Sequence, residues 1–292
     1  MALYSIWMLE YAYAVDVPLA GLVYGWHGAD SVTIPFSYVL AKGRDSTILI
    51  DCGYNNDAHG RVLAERSNLR NWHAPQDVLA QCGVRPEQID HVIITHAHYD
   101  HIGGLRHFPN ARFYLQEREL SQWLRIMDMP RSARWLMDAT DPSDIIHAAE
   151  LATAGRLITI GGDAEDILPG IDVHLAADSH TAGSQFVVFR NDGARQSQDA
   201  YVCTGDLVYR PENLHGGNPD DPFYVPVGFA MGSQTNLILA TDAMLKIVGH
   251  DIDRVLAPHA DEVYIRHPSR KGALGLRIAE ITLANGHDSV VG

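Results

Sequence analysis

Thr95-His96-Ala97-His98-Tyr99-Asp100-His101 directly follows the apolar run Val92-Ile93-Ile94 and packs four potential metal ligands into six positions. A strand that ends in such a loop can hold two cations side by side. His96 and His98 project the same way across one intervening residue, whereas Asp100 and His101 turn toward a second position. Imidazole and carboxylate donors together suit zinc, and also iron, cobalt or manganese. The plain alternative is a set of surface histidines, since 16 of the 292 residues are His. Scattered histidines rarely cluster with an aspartate immediately after a strand-like run, so the stretch is read as a metal site.

Further ligands recur downstream in the same grammar, a short β-like segment and then a loop that opens with Asp or His. Residues 171–177 lead into Asp178-Ser179-His180-Thr181-Ala182-Gly183-Ser184. Residues 201–204 lead into Gly205-Asp206, and residues 254–257 into Pro258-His259-Ala260-Asp261. Loops at strand ends on a rigid sheet are where catalytic groups commonly sit. Any one of these would be weak; the ordered set, with the tight cluster first, is not.

With these residues in place, the chain resembles the metallo-β-lactamase superfamily of hydrolases. The resemblance rests on His96-x-His98-x-Asp100-His101, His180 in Ser-His-Thr-Ala-Gly-Ser, Asp206 and His259, and it runs from about residue 37 to about residue 261. It implies an α/β fold, an αββα sandwich in which two β-sheets are flanked by helices. It also implies that His96, His98 and His180 hold one metal, that Asp100, His101 and His259 hold the other, and that Asp206 bridges them. Ala182 departs from the proline common in relatives, which bears on loop stiffness rather than ligation.

Within the superfamily the chain is most similar to the N-acyl-homoserine lactonases and related lactone hydrolases such as 4-pyridoxolactonase. Residues 34–40 followed by 48–53 look like their opening β-hairpin, with Cys52 where a threonine is usual, and Gly103-Gly104 matches the turn closing their metal loop. Tyr209 lies three residues after Asp206, and the resemblance implies that its phenol reaches the substrate carbonyl. The alternative for Tyr209 is a packed aromatic whose hydroxyl merely finds a partner. A homodimer is implied only by this likeness.

The expected chemistry follows from the ligands. Two divalent ions roughly 3.5–4 Å apart, most simply Zn2+, with Fe2+, Mn2+ or Co2+ as alternatives, can share a water and lower its pKa from 15.7 toward about 7. The resulting bridging hydroxide would attack an ester or amide carbon, with the oxyanion stabilised by a metal and by Tyr209. Asp100 is the candidate proton shuttle to the leaving oxygen.

A formal charge of −14 argues against a nucleic-acid surface, and so against the nuclease branches of the superfamily. Cys52, Cys82 and Cys203 lack metal-ligand spacing and fit reduced, packed thiols in a cytoplasmic protein. Neither a secretory signal nor an apolar run of membrane-spanning length is evident. The expected partner is a small cyclic substrate.

One domain over residues 1–292 is expected. Strands are placed near 3–13, 33–41, 46–51, 91–95, 111–116, 156–160, 171–176, 185–190, 200–204 and 254–257, with helices near 75–82 and 236–249. A helical insertion is expected at about 117–150, where Leu120, Trp123, Leu124 and Met127 recur at helical spacing. That stripe is read as core packing or as a pocket wall. Two segments are candidates for shaping the substrate pocket. One is the turn-rich stretch 210–228, with His215, Phe223 and Tyr224; the other is 20–28, with Tyr24 and Trp26. Thioester cleavage of the glyoxalase II type, a lactam or imide substrate, and a mononuclear iron persulfide dioxygenase remain the alternatives. A flavo-diiron protein is disfavoured by His98, and a non-catalytic module by the full set of seven ligands.

Overall fold

The computed structural model describes residues 2–216, 218, 220 and 223–292. Along the chain the strands are β1 (Tyr4–Pro18), β2 (Ser31–Gly43), β3 (Thr47–Ile50), β4 (Leu69–Arg70), β5 (His91–Ile93), β6 (Arg112–Gln116) and β7 (Leu157–Ile160). Then come β8 (Ala164–Leu168), β9 (Ile171–Leu175), β10 (Gln185–Arg190), β11 (Ala200–Cys203), β12 (Val255–Leu256), β13 (Ser269–Lys271) and β14 (Arg277–Thr282). Among the described residues they form two sheets. One runs β13-β14-β1-β2-β3-β5-β6-β7, with β4 on the far part of β1; the other runs β12-β11-β10-β9-β8. Helices including Pro75–Ala80, Glu117–Met127, Pro142–Thr153 and Gln234–Ile247 flank them. The expected sandwich of two sheets between helices is the observed fold.

The burial pattern explains the strand order. Tyr4 through Ala12 are buried without alternation, so the first part of β1 is covered on both faces. β3, β5 and β6 run parallel, and the apolar stretches Ile48-Leu49-Ile50 and Val92-Ile93 are fully internal. The second sheet is mostly antiparallel, with β12 added parallel to β11. Gln185 joins the sheets at the site end: its N–H donates to Thr95 O (2.9 Å), and its side-chain amide donates to Ile94 O (2.8 Å).

Several expectations need correction. The first strand continues to Pro18 rather than ending near residue 13, carried past two register shifts against β2. The helix Ala58–Arg66 and the strands β4, β8, β13 and β14 were not anticipated. β14, Arg-Ile-Ala-Glu-Ile-Thr, is mixed in charge and weak as a local signal, but pairing with β13 and β1 holds it in the sheet. The helical insertion expected at about 117–150 divides into the Glu117–Met127 helix, a 3-10 segment Arg131–Met137 preceded by Pro130, and the Pro142–Thr153 helix. Leu120 and Trp123 are buried and Leu124 is exposed, so the stripe itself is core packing, whereas Trp135 and Leu136 farther along the same insertion line a cavity.

Candidate metal centre

Each ligand candidate sits just beyond the carboxyl end of a strand. His96, His98, Asp100 and His101 follow β5, His180 lies between β9 and β10, Asp206 follows β11, and His259 follows the neighbouring β12. Gly104 closes the first loop against the Cys52 carbonyl, where a Cβ would lie 1.9 Å from the oxygen, so any larger residue would push the loop away. All seven side chains are buried. They fall into two groups whose donor atoms converge, His96, His98, His180 and Asp206 in one and Asp100, His101 and His259 in the other.

The histidine tautomers follow from the hydrogen bonds on the outer ring nitrogens. A carbonyl or carboxylate oxygen can only accept, so the nitrogen facing it carries the proton. His180 Nδ1 donates to Phe229 O (2.6 Å), His259 Nδ1 to Pro35 O (2.8 Å) and His101 Nδ1 to Asp51 Oδ2 (2.8 Å). Thr95 Oγ1 gives its proton to Asp51 Oδ2 and therefore accepts from His96 Nδ1 at 3.1 Å. In their neutral forms these four rings turn Nε2 lone pairs toward the centre, the arrangement that orients imidazoles on a metal. Asp51 reaches it from a left-handed backbone, φ +62°, which aspartate tolerates better than most residues.

The residues present fit two cations. His98 Nδ1 lies 3.1 Å from His96 Nε2 and 3.0 Å from His180 Nε2. Neighbouring donors around a tetrahedral ion with bonds of about 2.0–2.1 Å stand ~3.3 Å apart, so these spacings match. Asp206 spans both groups. Its Oδ2 lies 3.3 Å from His180 Nε2 and 3.6 Å from His96 Nε2, and its Oδ1 lies 3.0 Å from His101 Nε2 and 3.2 Å from His259 Nε2. Asp206 Oδ1 faces the His101 and His259 rings without a well-aligned hydrogen bond, a buried carboxylate oxygen that a cation between them would satisfy.

The electrostatics agree. Burial and then the neighbouring His180 push His98 down to about 3, and burial with His101 lowers His96 well below the ordinary imidazole range. Burial would also lower His101 and His259, but Asp206, Asp100 and, at His101, Asp51 outweigh it and raise both. Burial pushes Asp206 up, and His101, His259 and His96 outweigh it and hold the carboxyl well below its ordinary value. The two carboxylates thus draw positive charge into a closed space.

The Metallo-beta-lactamase superfamily model matches residues 31–259 of this chain. The chain belongs to the metallo-beta-lactamase superfamily. Similar curated proteins include an N-acyl homoserine lactonase of Bacillus cereus, 22% identical over 76% of this chain and 84% of that protein. The lactonase AiiB of Agrobacterium fabrum is 23% identical over 62% of this chain, and a ribonuclease of Thermus thermophilus is 26% identical over 64%. The chain spans 66% of the length of the former and 38% of the latter. Among solved structures, an N-acyl homoserine lactone hydrolase with the product N-hexanoyl-L-homoserine at its catalytic metal center has a TM-score of 0.64 at 16% identity, covering 91% of this chain and 96% of that one. The dizinc quorum-quenching lactonase AidC gives 0.63 at 16%, covering 96% and 95%.

In this superfamily member the centre forms the floor of a cavity of about 540 Å3, within the range of small-molecule sites. His98, Asp100, His180, Asp206, Tyr209 and His259 line its base. Tyr209 donates its hydroxyl to Asp206 Oδ2, and its ring stacks on His259 at 5.2 Å. Burial, then the Asp206 charge, keep its pKa well above 10, so it remains a donor. The upper wall comes from the far part of β1 (Ala14–Pro18), from Ile34 and Phe36, from Trp135 and Leu136, and from Phe229 and Met231.

The five residues expected to touch substrate lie elsewhere. Tyr24, Trp26, His215, Phe223 and Tyr224 are all absent from the cavity wall. After Pro18 the chain turns off through Leu19–Leu22, which leaves Tyr24 and Trp26 exposed, with Trp26 Nε1 donating to Asp30. His215 ends the short helix Pro211–His215, Phe223 is exposed, and Tyr224 reaches Asp242. Within 210–228, residues 217, 219, 221 and 222 lie outside the described residues. Sequence reasoning also passed over Asp51 and the Phe229 carbonyl, which fix ligand rings. The available signal for Asp51 was a carboxylate ending a buried strand next to the strand of the metal loop.

Proposed function

We propose that the chain is a dinuclear metal-dependent hydrolase that opens a lactone or a related cyclic ester or amide. The observation that carries this reading is the pair of converging donor groups, joined by Asp206, at the floor of a largely apolar cavity. His96, His98 and His180 would hold one divalent ion, Asp100, His101 and His259 the other, with Asp206 shared. Zinc suits these donors, and iron, manganese or cobalt could take the same places. When bound, such ions polarise a carbonyl and activate water at neutral pH.

The chain's own groups supply the rest. Asp51, Pro35 O and Phe229 O hold the ligand rings in one orientation through their Nδ1 atoms. Tyr209 offers a phenolic proton beside Asp206, where charge develops on the substrate oxygen. Asp100 lines the cavity and, as an ionised carboxylate, would accept the proton given up by the attacking water and hand it to the leaving oxygen. Burial pushes its carboxyl up, and His101 and His259 outweigh this to leave it below its ordinary value. Ile34, Phe36, Leu136, Phe229 and Met231 give the wall an apolar surface that suits an apolar arm on the substrate. A nucleic-acid substrate is disfavoured by the net charge of −14.

The test is ring opening of a panel of lactones with short and long acyl arms, followed by pH-stat before and after chelation. Chelator-sensitive opening of at least one member is expected. Two bound ions with no lactone opened would move the substrate to lactams, imides or thioesters. One iron with no hydrolysis would replace the hydrolase reading with an oxygenase.

A further inference from the structure

Glu119 is a carboxylate with no solvent exposure, in the first turn of the Glu117–Met127 helix, and it belongs to neither donor group. Both its oxygens are saturated by donors. Oε1 accepts from the Ala97 N–H (2.9 Å) and from Trp123 Nε1 (2.7 Å). Oε2 accepts from Thr181 Oγ1 (2.8 Å) and from the Gly183 N–H (2.7 Å). Ala97 lies between His96 and His98, and Thr181 and Gly183 lie one and three residues after His180. The fit is close, because a Cβ on Gly183 would lie 2.4 Å from the Glu119 nitrogen. The adjacent Arg118 adds a bond from Nε to Ala182 O (2.8 Å) in the same loop.

We infer that Glu119 is the positioning residue of one metal position alone, that of His96, His98 and His180, clamping two loops from different sheets into one ligand set. The other position has ring supports that do not involve Glu119, Asp51 on His101 and Pro35 O on His259, although Asp51 also reaches the His96 ring through Thr95. A buried carboxylate is costly unless its lone pairs are satisfied, so the four donors and the carboxylate hold one another in register. A glutamine could not replace it. Whichever way the amide turned, its NH2 group would meet a backbone N–H, that of Ala97 or that of Gly183. The ligand loops would have to part, and the first ion would loosen.

This inference rests on the two-ion reading of the centre. The experiment is chelator titration of the zinc-loaded full chain, with ions per chain counted by native mass spectrometry, for wild type and Glu119→Gln. In the variant one ion should be lost at a chelator concentration roughly 10- to 100-fold lower, as for other groups that orient ligands, while the second keeps its wild-type midpoint. In a His180→Ala background, which disables the first position, Glu119→Gln should leave the remaining ion unaffected. Should Glu119→Gln fail to fold, Thr181→Val removes one of the four donors and should loosen the same ion to a smaller degree. Equal loosening of both ions, or unchanged midpoints with only a lower melting temperature of the ion-free chain, would overturn the inference. Fewer than two ions in the wild type would sink the two-ion reading itself, and this inference with it.

Discussion

The floor and the mouth of the cavity are built on opposite principles. On the floor every ligand candidate is buried, and His96, His101, His180 and His259 have their outer nitrogens tied to a fixed acceptor. At the mouth, Trp135 is 72% exposed and sits on a 3-10 segment with no buried residue. Arg66 and Asp138, also in the cavity wall, form a half-exposed ion pair there. Such a pair contributes little rigidity in water. The floor's geometry is over-determined, which under the proposed function would fix the chemistry and leave the mouth to set which molecule enters.

If that contrast holds, damage to the floor should abolish turnover and damage to the mouth should only retune it. Asp206→Ala removes the carboxylate shared by both positions. It should lower ion content below two per chain and reduce turnover by more than about 100-fold, since even groups that merely orient ligands are worth roughly 10–100-fold. Full ion content with near-normal turnover would break the contrast at once. Tyr209→Phe is milder: kcat should fall roughly 10- to 100-fold with ion content intact, read by paired kinetics and metal analysis. Unchanged kcat would remove the phenol from the reaction.

At the mouth, Trp135→Ala should raise KM about tenfold for long apolar arms, the equivalent of ~1.4 kcal/mol of lost burial, and leave kcat and the smallest lactone unaffected. A loss of kcat across the whole panel would make Trp135 part of the floor. The smallest effect concerns Asp144, whose carboxylate packs behind the metal loop beside Gly103. Burial and then Asp141 push its carboxyl up to about 7. The folded chain therefore holds a proton that the unfolded chain releases near pH 4, so this group withdraws stability as pH rises from about 4 to 7. Asp144→Asn should match wild type near pH 4 and melt a few °C higher at pH 8, by thermal scans at both pH values.

The ligand candidates of the floor were legible in the sequence, and the mouth only in part, through the insertion at about 117–150 that carries Trp135 and Leu136. His96, His98, Asp100 and His101 announce themselves because their spacing after Val92-Ile93-Ile94 is local, and His180, Asp206 and His259 repeat the strand-then-ligand pattern. The upper wall is assembled by tertiary packing. Ala14–Pro18 reach it because β1 bends along β2, and Trp135 because Pro130 separates its short 3-10 segment from the preceding helix. The described residues of 20–28 and 210–228 carried aromatic and turn signals and do not line the cavity, since composition says nothing about direction. Glu119 reads in sequence as one charge on an amphipathic helix, and only the folded chain places Ala97, Thr181 and Gly183 around it.

The central claim is that seven side chains on the floor hold two ions joined through Asp206. The most direct measurement is native mass spectrometry of the purified chain, counting divalent ions per chain before and after stepwise chelation. Two ions, removable in steps and restored by added zinc together with ring-opening activity, is the result this account requires. A chain that binds one ion at most, however much zinc is supplied, would contradict it.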